Sequence, residues 1–181
     1  MSAWTELRTP CTCELVIGIF DLRGYTAYCQ RNEALRALEV MAGYTALAAR
    51  IIEQAGGRFL KAIGDAGLFV FFADDADMAI DAVQKLQSVG DAWLRDAGYG
   101  GHVRTALHAG SAAVGRIGAE GREQLDVIGS DVNIVGAMRA EGRFAVTPAF
   151  FRKLSADNRK LFRKHTPPVS YIGLDDPRPD A

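Results

Sequence analysis

The apolar run Leu15-Val16-Ile17-Gly18-Ile19-Phe20 ends directly on Asp21, and a second run, Gly67-Leu68-Phe69-Val70-Phe71-Phe72, begins just after Asp65. Both runs are too short for helices and rich in β-branched and aromatic residues, so they read as buried strands. That places two carboxylates where core strands end. A charge beside a core strand must be compensated, and two carboxylates that converge repel unless a cation lies between them. Hard divalent cations such as Mg²⁺ compensate them through oxygen ligands and commonly bring a substrate polyphosphate. The pattern therefore points to phosphoryl chemistry. The plainer alternatives are a helix N-cap for Asp21 and a hairpin turn for Asp65.

Periodicity sets out the rest of the chain. Residues 33–54 put Leu35, Leu38, Met41, Ala42, Leu47, Ile51 and Ile52 on one helical face, and Ala55-Gly56-Gly57 stops it. Residues 58–63 and 68–72 form a hairpin around Gly64-Asp65-Ala66-Gly67, and 74–94 form a second amphipathic helix. Residues 102–108 and 112–117 read as two strands joined by a Gly-Ser turn, 124–128 as a returning strand and 131–140 as a short helix. The expected class is α+β with a ferredoxin-like βαββαβ core and a C-terminal extension. With 181 residues, 49% of them hydrophobic, the chain has the material for one well-filled domain. We delimit a lead over 1–13, the domain over 14–175 and a tail over 176–181.

The formal net charge of −1 says little by itself, and no broad basic excess points to a nucleic-acid partner or an anionic membrane surface, so neither is expected. No stretch reaches the ~18 apolar residues of a spanning helix, and the first ten carry no apolar run, so a soluble, cytoplasmic chain is expected. Cys11, Cys13 and Cys29 lack the further pair or histidine cluster of a zinc site and are expected as reduced thiols. His108, at the end of a strand, is expected to be a satisfied core or interface group.

The blocks Phe20-Asp21-Leu22-Arg23-Gly24-Tyr25-Thr26, Lys61-Ala62-Ile63-Gly64-Asp65 and Asp126-Val127-Ile128-Gly129-Ser130-Asp131-Val132-Asn133, with Val103-Arg104-Thr105-Ala106-Leu107-His108-Ala109-Gly110 between the last two, resemble the blocks of class III nucleotide cyclases. Their order agrees, and so do the 44 positions between Asp21 and Asp65. The resemblance covers residues 15–154. It implies that Asp21, Asp65 and the Leu22 carbonyl hold two metal ions, Mg²⁺ or Mn²⁺, over a nucleoside triphosphate, with Gly24, Tyr25 and Thr26 cradling phosphate at a helix start. The implied reaction is attack of the ribose 3′-hydroxyl on the α-phosphate, releasing pyrophosphate.

The resemblance also assigns base selection to Lys61 and Asp126. Adenine offers an acceptor at N1 and a donor at its amine, complementary to an ammonium and a carboxylate, so ATP is the expected substrate. An ordinary surface ion pair is the plainer reading of the same two residues. Asn133 resembles the family asparagine that orients the attacking hydroxyl. The arginine expected four residues on, about 40° round a helix at ~100° per residue, is Ala137 here. Arg139 substitutes only if the helix ends early or bulges; Arg116, Arg122 and Arg143 are further alternatives. Loss of such a donor costs ~10²–10³ in rate. More loosely, Arg163 and Lys164 resemble the basic residues that hold terminal phosphates.

Class III sites form between two domains, and this chain carries both residue sets, so the resemblance implies a homodimer with sites at the interface. Three functions follow: an adenylate cyclase, a cyclase acting on GTP or a pyrimidine triphosphate, and a degenerate homology domain that binds nucleotide or a partner without turnover.

Overall fold

The first strand outruns its apolar segment. A computed structural model, which describes residues 3–138, 142–165 and 170–174, gives β1 as Cys11–Arg23, so Asp21 lies within the strand and not beyond its end. Val16, Phe20 and Leu22 pack into one cluster, and Leu15, Ile17 and Ile19 into another. The strand is buried on both faces, and this is why its centre reads as an unbroken apolar run instead of alternating.

A short helix α1, Ala3–Glu6, precedes β1. After it come α2 Tyr25–Arg31, α3 Ala34–Gln54, β2 Arg58–Ile63, β3 Ala66–Phe72 and α4 Ala76–Asp96. Then follow β4 His102–Ile117, β5 Gln124–Ile128, α5 Ser130–Ala137 and β6 Phe144–Val146. The described part closes with α6 Pro148–Phe151, α7 Ala156–Arg159, β7 Phe162–His165 and β8 Ser170–Gly173. Strands β2, β3, β1 and β4 are neighbours in that order and antiparallel throughout, the ferredoxin-like arrangement expected. The extension continues the sheet through β6, parallel to β4, then β8 and β7.

Helices α3 and α4 lie on one face, burying Tyr44, Ile52, Ile80 and Leu86 against Phe20, Phe69 and Phe71. The opposite face is covered in part by Trp4 of α1, stacked on Phe72 with ring centroids 4.2 Å apart, and by Val135 of α5.

Three expectations are corrected. Residues 102–117 form one strand, not two joined by a turn: Gly110 and Ser111 stay extended because β1 continues opposite them, pairing Leu15 with Gly110 and Glu14 with Ser111. The hairpin turn tightens to Gly64 and Asp65, with Ile63 paired to Ala66 and Gly64 at φ +63°, a first central position that suits glycine. Helix α5 ends at Ala137 and not at 140, because Met138 turns extended.

Gly18 marks a place where β1 packs tightly against its neighbours. A Cβ there would meet the Phe69 ring at 2.2 Å and Leu107 Cδ2 at 2.7 Å. Gly18→Ala is expected to lower unfolding free energy by about 1–3 kcal/mol, read from the urea midpoint at constant m-value. An unchanged midpoint would show that these strands have room to part.

Candidate active site

Asp21 alternates with Phe20 and Leu22, so its side chain shares the side of β1 that carries Ile17 and Ile19, away from α3 and α4. Its cross-strand partners are Ala66 on β3 and Arg104 on β4. Arg104 grips the carboxylate with two nitrogens: Nε donates to Oδ1 at 3.0 Å, and Nη2 donates to Oδ2. The β2–β3 turn brings Asp65 alongside, the Leu22 N–H donating to the Asp65 carbonyl at 3.2 Å.

Both charges reach the same neighbours. The hydrogen bond donated to Asp21, then the negative charges of Asp21 and Asp65, hold the Arg104 guanidinium above its ordinary pKa against the opposing effect of burial. Burial first, with the charges of Asp65 and Asp21 adding to it, pushes the Tyr99 phenol well above its ordinary range. Asp65 thus lies beside the end of β1 that carries Asp21, and the cation bonded to Asp21 in this structure is Arg104, where the sequence argument expected a divalent ion.

Among the described residues no group of three or more His, Cys, Asp or Glu side chains gathers to hold a metal. A cation here would rest on Asp21, Asp65 and the Leu22 carbonyl, with waters and substrate phosphates completing its shell. That all-oxygen set fits Mg²⁺ or Mn²⁺, which take one or two carboxylates plus phosphate. Gly24, at φ +89°, turns the chain from β1 into α2, so Tyr25 and Thr26 open a helix as expected.

Lys61 on β2 and Asp126 on β5 meet through a hydrogen bond from Nζ to Oδ2. These strands are not sheet neighbours. Strand β5 folds back along the distal half of β4, Ala113 pairing with Ile128, and this brings it across to β2. Asp126 is buried and its Oδ1 accepts the Val127 N–H at 2.9 Å, so the carboxylate is fixed while the lysine stays partly exposed.

Asn133 and Ala137 are both exposed on α5, one helical turn apart. Arg139 lies outside the described residues. Among the described residues no hydrogen bond links Asn133 to Asp21 or to the Lys61–Asp126 pair. Of the alternative arginines, Arg143 is bonded to Asp91 of α4, and Arg116 donates to the Glu123 carbonyl within the β4–β5 hairpin. Arg163 and Lys164 lie on β7, the far end of the sheet from the β2–β3 turn that carries Asp65. Arg163 Nη1 there donates to the Leu174 carbonyl at 3.0 Å.

Two features escaped the sequence reading. Arg104 is one; its signal was a cation between buried Val103 and Thr105, but its role needs the β1–β4 register. The other is the network around His108, which is itself the buried, satisfied core group expected, bonded at both ring nitrogens. Nδ1 lies 2.8 Å from Thr147 Oγ1 and Nε2 lies 3.3 Å from Asp131 Oδ1, while Asp131 Oδ2 accepts the Ser111 N–H at 2.8 Å. The Nε2–H tautomer satisfies every group, with the Thr147 hydroxyl donating to Nδ1 and accepting from Phe150 N–H at 3.3 Å. Gly110 makes room: a Cβ there would sit 2.4 Å from the Asp131 carboxylate. The first turn of α5, which carries Asn133, is thus pinned to β4 and through it to the start of α6.

No protein-family model matches the chain. It is 28% identical over 186 residues to the adenylate cyclase of Anabaena cylindrica, covering 94% of this chain and 37% of that protein. The chain therefore spans little more than a third of that relative. Among solved structures it is similar to a bacterial light-regulated adenylyl cyclase, with TM-score 0.80 at 18% identity over 96% of this chain and 55% of that one. It is also similar to the guanylyl cyclase Cya2, with TM-score 0.73 at 19% identity over 94% of this chain and 96% of that one. The chain carries the class III nucleotide cyclase fold. Within that cyclase fold Asp21 and Asp65 occupy one end of the central strands, and the Lys61–Asp126 pair occupies the crossing of β5 over β2.

His108→Ala leaves Asp131 and Thr147 without their shared partner, which should cost about 1–3 kcal/mol. Amide exchange should then accelerate in α5 before it does in α3 or α4. Uniform acceleration, or none, would contradict a local pinning role.

Proposed function

We propose that this chain is the catalytic domain of an adenylate cyclase, converting ATP to 3′,5′-cyclic AMP and pyrophosphate. The observation that carries the reading is the convergence of Asp21 and Asp65 beside Leu22, on a cyclase fold, with an oxygen donor set suited to Mg²⁺ or Mn²⁺. Bound there, two such ions would supply a more acidic 3′-hydroxyl and neutralise phosphate charge. Asp21 and Asp65 hold that charge on one end of the sheet. The backbone of Gly24, Tyr25 and Thr26 receives phosphate oxygens. Arg104 adds a guanidinium that can turn from Asp21 to the substrate once the carboxylates are otherwise neutralised.

Lys61 and Asp126 select adenine, Lys61 donating to N1 and Asp126 accepting from the amine. Asn133 orients the ribose and, with Arg163 and Lys164, serves a site completed by a second copy of the chain. Exposed Ile63, Ile117, Ile128 and Ile134 are available as contacts for such a homodimer. No helix of the described residues is long and apolar enough to cross a membrane, and a domain fed by cellular ATP works in the cytoplasm. The exposed, short Ala137 favours a second reading, a domain that binds the nucleotide with little or no turnover.

Purified protein supplied with ATP, GTP, CTP or UTP and Mn²⁺ or Mg²⁺ should form cyclic AMP from ATP. Asp21→Ala and Asp65→Ala should each abolish product while the protein stays folded; undiminished turnover in either contradicts the metal assignment. Lys61→Glu combined with Asp126→Cys should reverse the donor and acceptor pattern and shift preference from ATP towards GTP. An unaltered ATP preference would remove both residues from base reading. Because α5 runs regularly to Ala137, Ala137→Arg places a guanidinium one turn from Asn133 and should raise kcat about 10- to 100-fold with little change in KM. A harmful Ala137→Arg together with a nearly inactive Arg139→Ala would make Arg139 the working arginine.

A further inference from the structure

Arg23, Arg31 and His102 line one cavity of about 490 Å³, floored by Tyr28 and Tyr99. No Asp or Glu lines it. Arg36, Arg58, Arg104 and Arg143 each hold a carboxylate, whereas among the described residues neither Arg23, Arg31 nor His102 has an ion-pair or side-chain hydrogen-bond partner. In a chain of net charge −1 this grouping does not follow from general basicity. It concentrates donors around a space of ligand size.

The floor is rigid and the wall is open backbone. Tyr99 donates its hydroxyl to the Arg23 carbonyl at 2.9 Å, and its ring packs on Tyr28 with centroids 4.9 Å apart. Gly101 is pressed under Arg23, where a Cβ would meet the Arg23 carbonyl at 2.0 Å, while a Cβ at Gly24, Gly98 or Gly100 would meet nothing within 4 Å.

Position gives the cavity its meaning. Arg23 and His102 are cross-strand partners, two residues along the same pair of strands from Asp21 and Arg104. The Tyr28 and Tyr99 rings pack with the α3–α4 layer, and the Tyr99 phenol feels the charges of Asp65 and Asp21, so the cavity lies at the same end of the sheet as the carboxylate pair.

We propose that this cavity is a subsite for linked phosphates and that it receives pyrophosphate released by the reaction. The identification of the anion as product rests on the function proposed above; the anion site rests on the cavity alone. Two guanidinium forks and one imidazole suit an anion of two linked phosphates, because each fork matches one phosphate group through paired charge-assisted hydrogen bonds. A single phosphate can engage only one fork well.

Titration calorimetry of inorganic pyrophosphate into the full chain, with EDTA present to remove divalent ions, tests the site without relying on activity. Saturable binding is expected, at least tenfold weaker in R23S/R31S and at least tenfold weaker for inorganic phosphate on the natural chain. Both arginines are exposed, so the variant should keep the thermal midpoint of the natural chain. Equal affinity in the two proteins, or no binding to the natural chain, overturns the subsite. A second arm measures inhibition of cyclic AMP formation by added pyrophosphate, which should weaken in R23S/R31S. If inhibition is unchanged, or if the natural chain makes no cyclic nucleotide, the product role falls; calorimetric loss in R23S/R31S would still support a linked-phosphate site.

Discussion

Two like charges held on one end of a packed sheet set the terms for the rest of this molecule. Asp21 sits inside β1 between buried Phe20 and Leu22, and Asp65 is delivered beside it by a two-residue turn. Their repulsion and partial desolvation need a cation, and Arg104 provides one from the neighbouring strand with a two-nitrogen grip on Asp21. The same demand makes the place receptive to a hard divalent ion with phosphate, because such an ion meets the two carboxylates more completely than one guanidinium can. On the function proposed above, Arg104 would be a counter-charge in the absence of metal and would turn to phosphate in its presence.

The layers serve that arrangement. Helices α3 and α4 bury one face of the sheet under large aromatic side chains, fixing the strand registers on which the opposition of Asp21 and Arg104 depends. The other face is covered only in part, by Trp4 and by α5, and there Asp21 and Lys61 reach solvent. The pin from Asp131 through His108 to Thr147 ties α5 to β4, so the helix bearing Asn133 is held by buried hydrogen bonds rather than by its own short length. A helix of eight residues has little stability of its own.

The residues at element ends were readable in the sequence, whereas their partners across strands were not. Asp21 and Asp65 stood out because a carboxylate against an apolar run is conspicuous, and the hairpin and both long helices followed from periodicity. Arg104 stayed unassigned because nothing local says that position 104 faces position 21; only the β1–β4 register does. Gly110-Ser111 reads locally as a turn, yet the long facing strand keeps it extended and the Asp131 carboxylate occupies the space a side chain would need. The end of α5 was misjudged by three residues because Gly136 lies inside the helix and Met138, where the backbone turns extended, carries no stop signal of its own. Lys61 and Asp126 were paired correctly as partners, but through a strand that folds across the sheet and not through adjacent strands.

The central claim is that Asp21 and Asp65 together hold divalent cations over a nucleoside triphosphate, with Arg104 released from Asp21. A crystal structure with Mn²⁺ and a non-reactive ATP analogue tests this directly through anomalous scattering. The account predicts manganese peaks bridging Asp21 and Asp65, bonded to phosphate oxygens, and an Arg104 side chain turned away from the Asp21 carboxylate. Manganese bound elsewhere, or an Arg104–Asp21 pair unbroken beside a bound nucleotide, would contradict it.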